Sequence, residues 1–198
     1  EVSKDGCTYL FPLLPEATFQ NGGPITADDF VYSIERACSP GLGSPVAASY
    51  LGDIVGAAEF LAGRAEHIQG LVAASEHELQ IEIDAPKAYF LAKLTYPTAF
   101  VVDRVQIEDE GEGWQRRANG SGPFVLEELG ADRIVLARNE RYYGKRVALE
   151  RVEYLLGGGS PVTMYENDEL DLAQVPPSEV ERVTDPANPL HSECDVAL

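Results

Sequence analysis

The alternation of apolar and polar residues is cleanest over residues 78–84 (ELQIEID), where Leu79, Ile81 and Ile83 fall on one side and Gln80, Glu82 and Asp84 on the other. A period of two puts these sets on opposite faces of a pleat, so the pattern predicts a half-buried strand. Residues 27–38 follow a different rhythm: Phe30, Ile34, Ala37 and Cys38 share one face at helical spacing. Thr26 stands at the N-cap position of that helix, and Asp28 and Asp29 place negative charge beside its unpaired N–H groups. The Pro- and Gly-rich run 39–45 (SPGLGSP) ends it. A second helix is predicted over about 53–62, with Ile54, Ala58 and Leu61 inward and Gly63 as its stop. Phe90, Leu91 and Leu94 are spaced for a further short helix, and residues 7–14 and 17–20 read as short β-segments before a turn at 21–24.

Downstream the rhythm changes. The acidic run 108–113 (EDEGEG) reads as a boundary, and 123–129 and 133–138, joined by Gly130-Ala131-Asp132, read as a β-hairpin. A strand at about 150–156 leads into Gly157-Gly158-Gly159, then a helix near 161–168, a strand at 171–175 and a helix near 177–183. No internal repeat is present. The fold class is α/β, in the mixed α+β sense.

Composition narrows the function classes. At 198 residues and 44 % apolar content the chain can bury a real core. Its formal charge of −18 argues against a phosphate-backbone partner, which needs clustered Lys and Arg, and against docking on anionic lipid. A solvated acidic surface is a simpler reading of that charge than an attraction for cationic ligands. Cys7, Cys38 and Cys194 are odd in number and widely spaced, which is not a disulfide framework. No stretch approaches the roughly 20 apolar residues of a membrane span. Glu1 opens directly on a segment that reads as part of a folded region, so the chain reveals no targeting segment.

Candidate chemistry is sparse. Gly157-Gly158-Gly159-Ser160 lacks the Lys of a phosphate loop and reads as a strand-to-helix turn, with Ser160 as N-cap before Pro161. His191 and Cys194 form half a zinc site at most, with His67 and His77 isolated, so neither metal nor cofactor is expected. Asp28-Asp29 is explained by helix capping rather than by acid–base chemistry, and no nucleophile with its base is visible, so no catalytic residue is assigned. The aromatics say more. Tyr50 follows the Pro/Gly-rich loop in the run 44–51 (SPVAASYL), where a ring and a hydroxyl could meet a ligand or fill the core. Trp114 and Tyr142-Tyr143 sit beside predicted strands and read as packing residues.

Several segments, in order, resemble the family 5 extracellular solute-binding proteins, the peptide, oligopeptide and nickel receptors of ABC importers. They are Asp5–Phe11 (DGCTYLF), Ala17–Gly22 (ATFQNG) and Ile25–Arg36 (ITADDFVYSIER), followed by Ile54–Ala57 and Ile68–Leu71. Gly120–Phe124 (GSGPF), Arg138–Gly144 (RNERYYG) and Glu169–Asp171 complete the series. Pro12-Leu13-Leu14 and Gln20 depart from the family's usual pattern at positions outside any proposed chemistry.

The resemblance implies a partial periplasmic-binding-protein type II fold, with a small accessory domain over 5–117 and part of the first lobe over 118–198. The second lobe would be encoded beyond Leu198. It implies no enzyme, but an extracytoplasmic receptor that closes on an extended peptide and delivers it to the ABC permease membrane subunits. Its place would be the periplasm or the cell exterior, with lipid anchoring to the outer face of the membrane as one mode of attachment. Residues 44–51 resemble the oligopeptide receptors most, and in those the matching tyrosine lies near the peptide cleft. Tyr50 is therefore the first candidate for substrate binding and Ser49 the second. Two other readings stay open: a secreted hydrolase working through carboxylates, and a sensing or adhesion module on the same fold.

Overall fold

The computed structural model describes residues 1–195. It divides into two units, the first made of residues 1–129 with 135–152, the second of 130–134 with the residues from 153 onward.

In the first unit, β1 (Thr8–Pro12) enters a sheet with β2 (Leu71–Ser75) and β3 (Glu78–Glu82), in the order β1-β3-β2. Both pairs are antiparallel, with Tyr9 opposite Ile81 and Leu71 also opposite Ile81. The alternation in β3 does what a period of two requires: Leu79, Ile81 and Ile83 are buried. Helix α1 (Ala27–Cys38) buries Ile34 and Cys38 against that sheet. At its start the Asp29 carboxylate accepts hydrogen bonds from the Thr26 N–H at 2.8 Å and the Thr26 hydroxyl at 2.9 Å. Asp29 therefore serves the helix end.

The helix expected over 53–62 is confined to α3 (Ala57–Leu61), and a separate short helix that the pattern does not predict, α2 (Ala47–Leu51), precedes it. Between them Ile54 bridges to Ile83, and Gly56 adopts φ +83°, which ends any continuous helix. A Cβ on Gly56 would also lie 2.8 Å from the Gln69 nitrogen. Helix α4 (Phe90–Lys93) buries Phe90 against Tyr9, ring centroids 5.0 Å apart, while Leu91 faces out. The acidic run 108–113 is no simple boundary, because its first residues close α5 (Arg104–Glu110). The Asp103 carboxylate caps that helix, accepting from the Val105 and Gln106 N–H groups.

A second sheet runs in the order β4 (Phe124–Leu129), β5 (Arg133–Arg138), β6 (Arg151–Leu155). The β4–β5 turn is closed by the Gly130 N–H donating to the Arg133 carbonyl. Of the second unit's helices, α6 (Pro161–Glu166) starts with Ser160 accepting from the Thr163 N–H, and α7 (Val180–Val183) buries Val183. Residues 171–175, expected as a strand, form none and pair with nothing among the described residues. Residues 17–20 contribute only a single bridge, Thr18 to Pro24.

Candidate functional site

Two tyrosines from distant parts of the first unit meet face to face. Tyr50 lies on α2, a helix too short to stand by itself. It is seated by Ala47 and Leu51, both fully buried, which leaves Ser49 exposed and Tyr50 half-buried at the margin of the core. The Ser49 and Tyr50 N–H groups both donate to the Val46 carbonyl, at 3.0 and 3.1 Å. Immediately after α2 the chain is fastened to the sheet. The Val55 N–H donates to the Glu82 carbonyl at 2.9 Å, and the Gly70 N–H to the Val55 carbonyl at 2.8 Å.

Tyr96 arrives from the other side. It follows α4, its N–H donating to the Lys93 carbonyl at 3.1 Å, and precedes a single 3₁₀ turn over Pro97–Ala99. Its ring lies on that of Tyr50 with centroids 3.8 Å apart and planes 12° apart. Tyr96 is 38 % exposed. Among the described residues neither phenolic hydroxyl makes a hydrogen bond, and neither is buried without a partner. The pair thus keeps two hydroxyls without a protein partner beside a Tyr96 side chain that is more than a third exposed.

An ion cluster beside the pair holds the two segments in register. The Asp53 carboxylate, two residues beyond α2, receives Lys93 Nζ at 2.6 Å and Lys87 Nζ at 2.7 Å. Lys87 also pairs with Asp84 at 2.7 Å. Partial burial alone would push the Asp53 carboxyl up, but the hydrogen bonds from Lys87 and Lys93 outweigh it and hold the group below its ordinary value. The Lys87 ammonium is raised, first by its hydrogen bond to Asp53 and then by that to Asp84. Lys93 also lies 5.0 Å from the centre of the Tyr89 ring. One carboxylate, two residues past Tyr50's helix, therefore ties that segment to Lys93, which precedes Tyr96 by three.

The remaining sequence candidates are engaged elsewhere. Trp114 sits in a 3₁₀ turn with the Arg36 guanidinium 5.5 Å from its ring centre, and Tyr142 and Tyr143 pack against each other at 5.0 Å. His191 Nδ1 lies 2.9 Å from the Thr184 carbonyl, and Cys194 is a half-exposed thiol. Among the described residues no group of three or more His, Cys, Asp and Glu is placed to hold a metal ion. In the second unit a surface cavity of roughly 850 Å³ is lined by Val162, Leu172, Val175, Val183 and Tyr165. The Tyr165 hydroxyl there donates to Glu193 at 2.6 Å, and Arg182 links Glu166 and Glu179. No described helix is long and apolar enough to cross a membrane.

The sequence pattern singles out Tyr50 and Ser49 as candidates but marks neither Tyr96 nor the Asp53–Lys87–Lys93 cluster. The only local mark of Tyr96 is that it precedes Pro97, a turn signal that says nothing of a stacking partner 46 positions earlier.

The comparisons with known proteins agree with one another. The family model described as "Bacterial extracellular solute-binding proteins, family 5 Middle" matches residues 1–192. The chain is similar to the periplasmic oligopeptide-binding protein OppA of Escherichia coli strain K12, 33 % identical over 179 residues, covering 86 % of this chain and 33 % of OppA. It is 29 % identical to the dipeptide-binding protein DppE of Bacillus subtilis strain 168, covering 94 % of this chain and 36 % of DppE. Among solved structures, the murein tripeptide binding protein MppA of Escherichia coli superposes with a TM-score of 0.84 at 27 % identity, over 93 % of this chain and 38 % of MppA. The chain thus spans about a third of the length of the curated relatives it matches.

Proposed function

The chain belongs to the family 5 bacterial extracellular solute-binding proteins, and from that premise we propose that the polypeptide carrying it is a peptide receptor of an ABC importer. The match over residues 1–192, with relatives named for dipeptides, a murein tripeptide and oligopeptides, is the observation that carries this reading. The receptor works outside the cytoplasmic membrane, in the periplasm or at the cell exterior, and hands its peptide to the permease subunits. Residues 5–117 form its accessory domain and 118–198 part of its first lobe. The opposing lobe comes from the two thirds of the relatives' length that this chain does not match.

Physically, such a receptor holds an extended peptide chiefly by its main chain, because backbone N–H and C=O groups are the same in every peptide. Side chains then need only room and water, which bridges polar groups at little loss. Tyr50, with Ser49 beside it on α2, faces the ligand in this reading. The half-buried ring and unpaired hydroxyl of Tyr50 support it, since an aromatic with one wet polar end suits a contact that is part apolar and part polar.

Calorimetric titration of the polypeptide carrying this chain with di-, tri- and oligopeptides of mixed sequence tests the proposal. Saturable binding of at least one length class, with one peptide per protein, is the expected result. No heat and no thermal shift with any of them would contradict it.

A further inference from the structure

The Tyr50–Tyr96 stack changes what a ligand could touch. With centroids 3.8 Å apart and planes 12° apart, one face of the Tyr50 ring is already covered, by Tyr96. The rest of Tyr50 packs against the core cluster that contains Leu51, Ile54 and Ile81. Tyr50 therefore offers an edge and a hydroxyl. The open ring face of the pair belongs to Tyr96, which keeps 38 % of its surface exposed. Its position is not left to chance: Pro97 fixes the backbone just after it, and the Lys93–Asp53 contact at 2.6 Å fixes the backbone just before it.

We propose that Tyr96 is the specificity-determining surface of this site, a platform backed by Tyr50 that takes a flat or bulky apolar side chain of the peptide on its outer face. The inference rests on the peptide-receptor reading and names the class of peptide it favours. Aromatic rings gain from offset stacking beyond the area they bury, and a ring already braced from behind loses little freedom on receiving a third. The two unpaired hydroxyls at the rim suit the main-chain amides that flank such a side chain. A peptide carrying Phe, Tyr or Trp at the residue over Tyr96 gains this contact, and its alanine counterpart does not.

The test uses the polypeptide carrying this chain and a series of peptides of one length, in which a single Phe is moved through an otherwise alanine sequence. Titration gives the ratio of affinities, best Phe peptide over all-alanine peptide, for the unsubstituted protein and for Tyr96→Ala, Tyr96→Phe and Tyr50→Phe. A ratio cancels any general loss of stability. The unsubstituted protein should prefer Phe at one register by about 2- to 12-fold, the range expected of one aromatic contact. Tyr96→Ala should bring that ratio close to one, whereas Tyr96→Phe and Tyr50→Phe, which keep both rings, should retain it. A ratio unchanged in Tyr96→Ala overturns the platform while leaving the peptide reading intact. Equal loss of both peptides in Tyr96→Ala also overturns it, since a purely structural role would do that. Failure of the unsubstituted protein to bind any peptide overturns the receptor reading itself, and the platform with it.

Discussion

Gly70 is where the backbone of three segments converges, and replacing it with alanine probes how the candidate site is held. Its N–H donates to the Val55 carbonyl at 2.8 Å and its carbonyl accepts from the Glu82 N–H at 2.7 Å. A Cβ built there would stand 2.6 Å from the Glu82 carbonyl oxygen and 2.9 Å from Val55 Cβ. Neither neighbour can swing away, one being backbone and the other the branched carbon of a stiff side chain. Overpacking of this kind costs about 1–3 kcal/mol, and stretching one of the two hydrogen bonds adds roughly 0.5–1.5 kcal/mol. The reduced freedom of the unfolded chain returns about 0.4–1 kcal/mol. The net expectation for Gly70→Ala is a loss of about 2 kcal/mol, or near 1 M in the urea midpoint at a slope of about 2 kcal/mol/M. Gly122→Ala is the control, since a Cβ there meets nothing within 4 Å. Its change should stay within about 0.5 kcal/mol. Urea unfolding followed by circular dichroism gives both numbers. Equal midpoints for the two variants would refute the claim that the link after α2 is clamped to β3 through Gly70.

Two further predictions concern groups whose titration the structure perturbs. Asp53 ionises below its ordinary value, so its contribution is fully present above the unfolded-state pKa near 4 and fades as pH falls through the lower folded value. The stability gap between the unsubstituted protein and Asp53→Asn should therefore be flat from about pH 5 to 8 and narrow below about pH 4. A gap that widens on acidification would contradict the sign, and pH-resolved urea midpoints measure it. Cys38 is fully buried, and burial pushes its thiol up to about 11, with Glu35 adding to the effect. Iodoacetamide at pH 8 should leave Cys38 unmodified in the folded protein and label it after unfolding, which peptide mass mapping reads out. Labelling in the folded state would show that α1 does not seal it.

Much of the scaffold was legible in the chain because it is locally determined. Thr26, Asp28 and Asp29 announce the start of α1, the alternation of Leu79, Ile81 and Ile83 announces β3, and Gly130-Ala131-Asp132 announces the β4–β5 turn. What failed was set at long range. The apolar spacing of Ile54, Ala58 and Leu61 fits a helix, but Ile54 is drawn into a bridge with Ile83 and the helix begins only at Ala57. Residues 71–75 (LVAAS) hold no clean alternation, and β2 exists because β3 offers it an edge. Residues 171–175 (DLAQV) would place Leu172 on one face of an extended chain and Ala173 and Val175 on the other, and they pair with nothing among the described residues. The site divides the same way. Tyr50 was marked by its loop and its resemblance, whereas Tyr96 joins it only because α4 folds back and Lys93 reaches Asp53.

The most direct trial of the receptor account is peptide affinity after Tyr50→Ala, measured by calorimetry in the polypeptide carrying this chain alongside its melting temperature. Loss of a ring that contacts ligand and braces Tyr96 should weaken the best peptide by about tenfold or more, with the folded state still populated at the titration temperature. Undiminished affinity in a folded Tyr50→Ala protein would remove the tyrosine pair from the binding site.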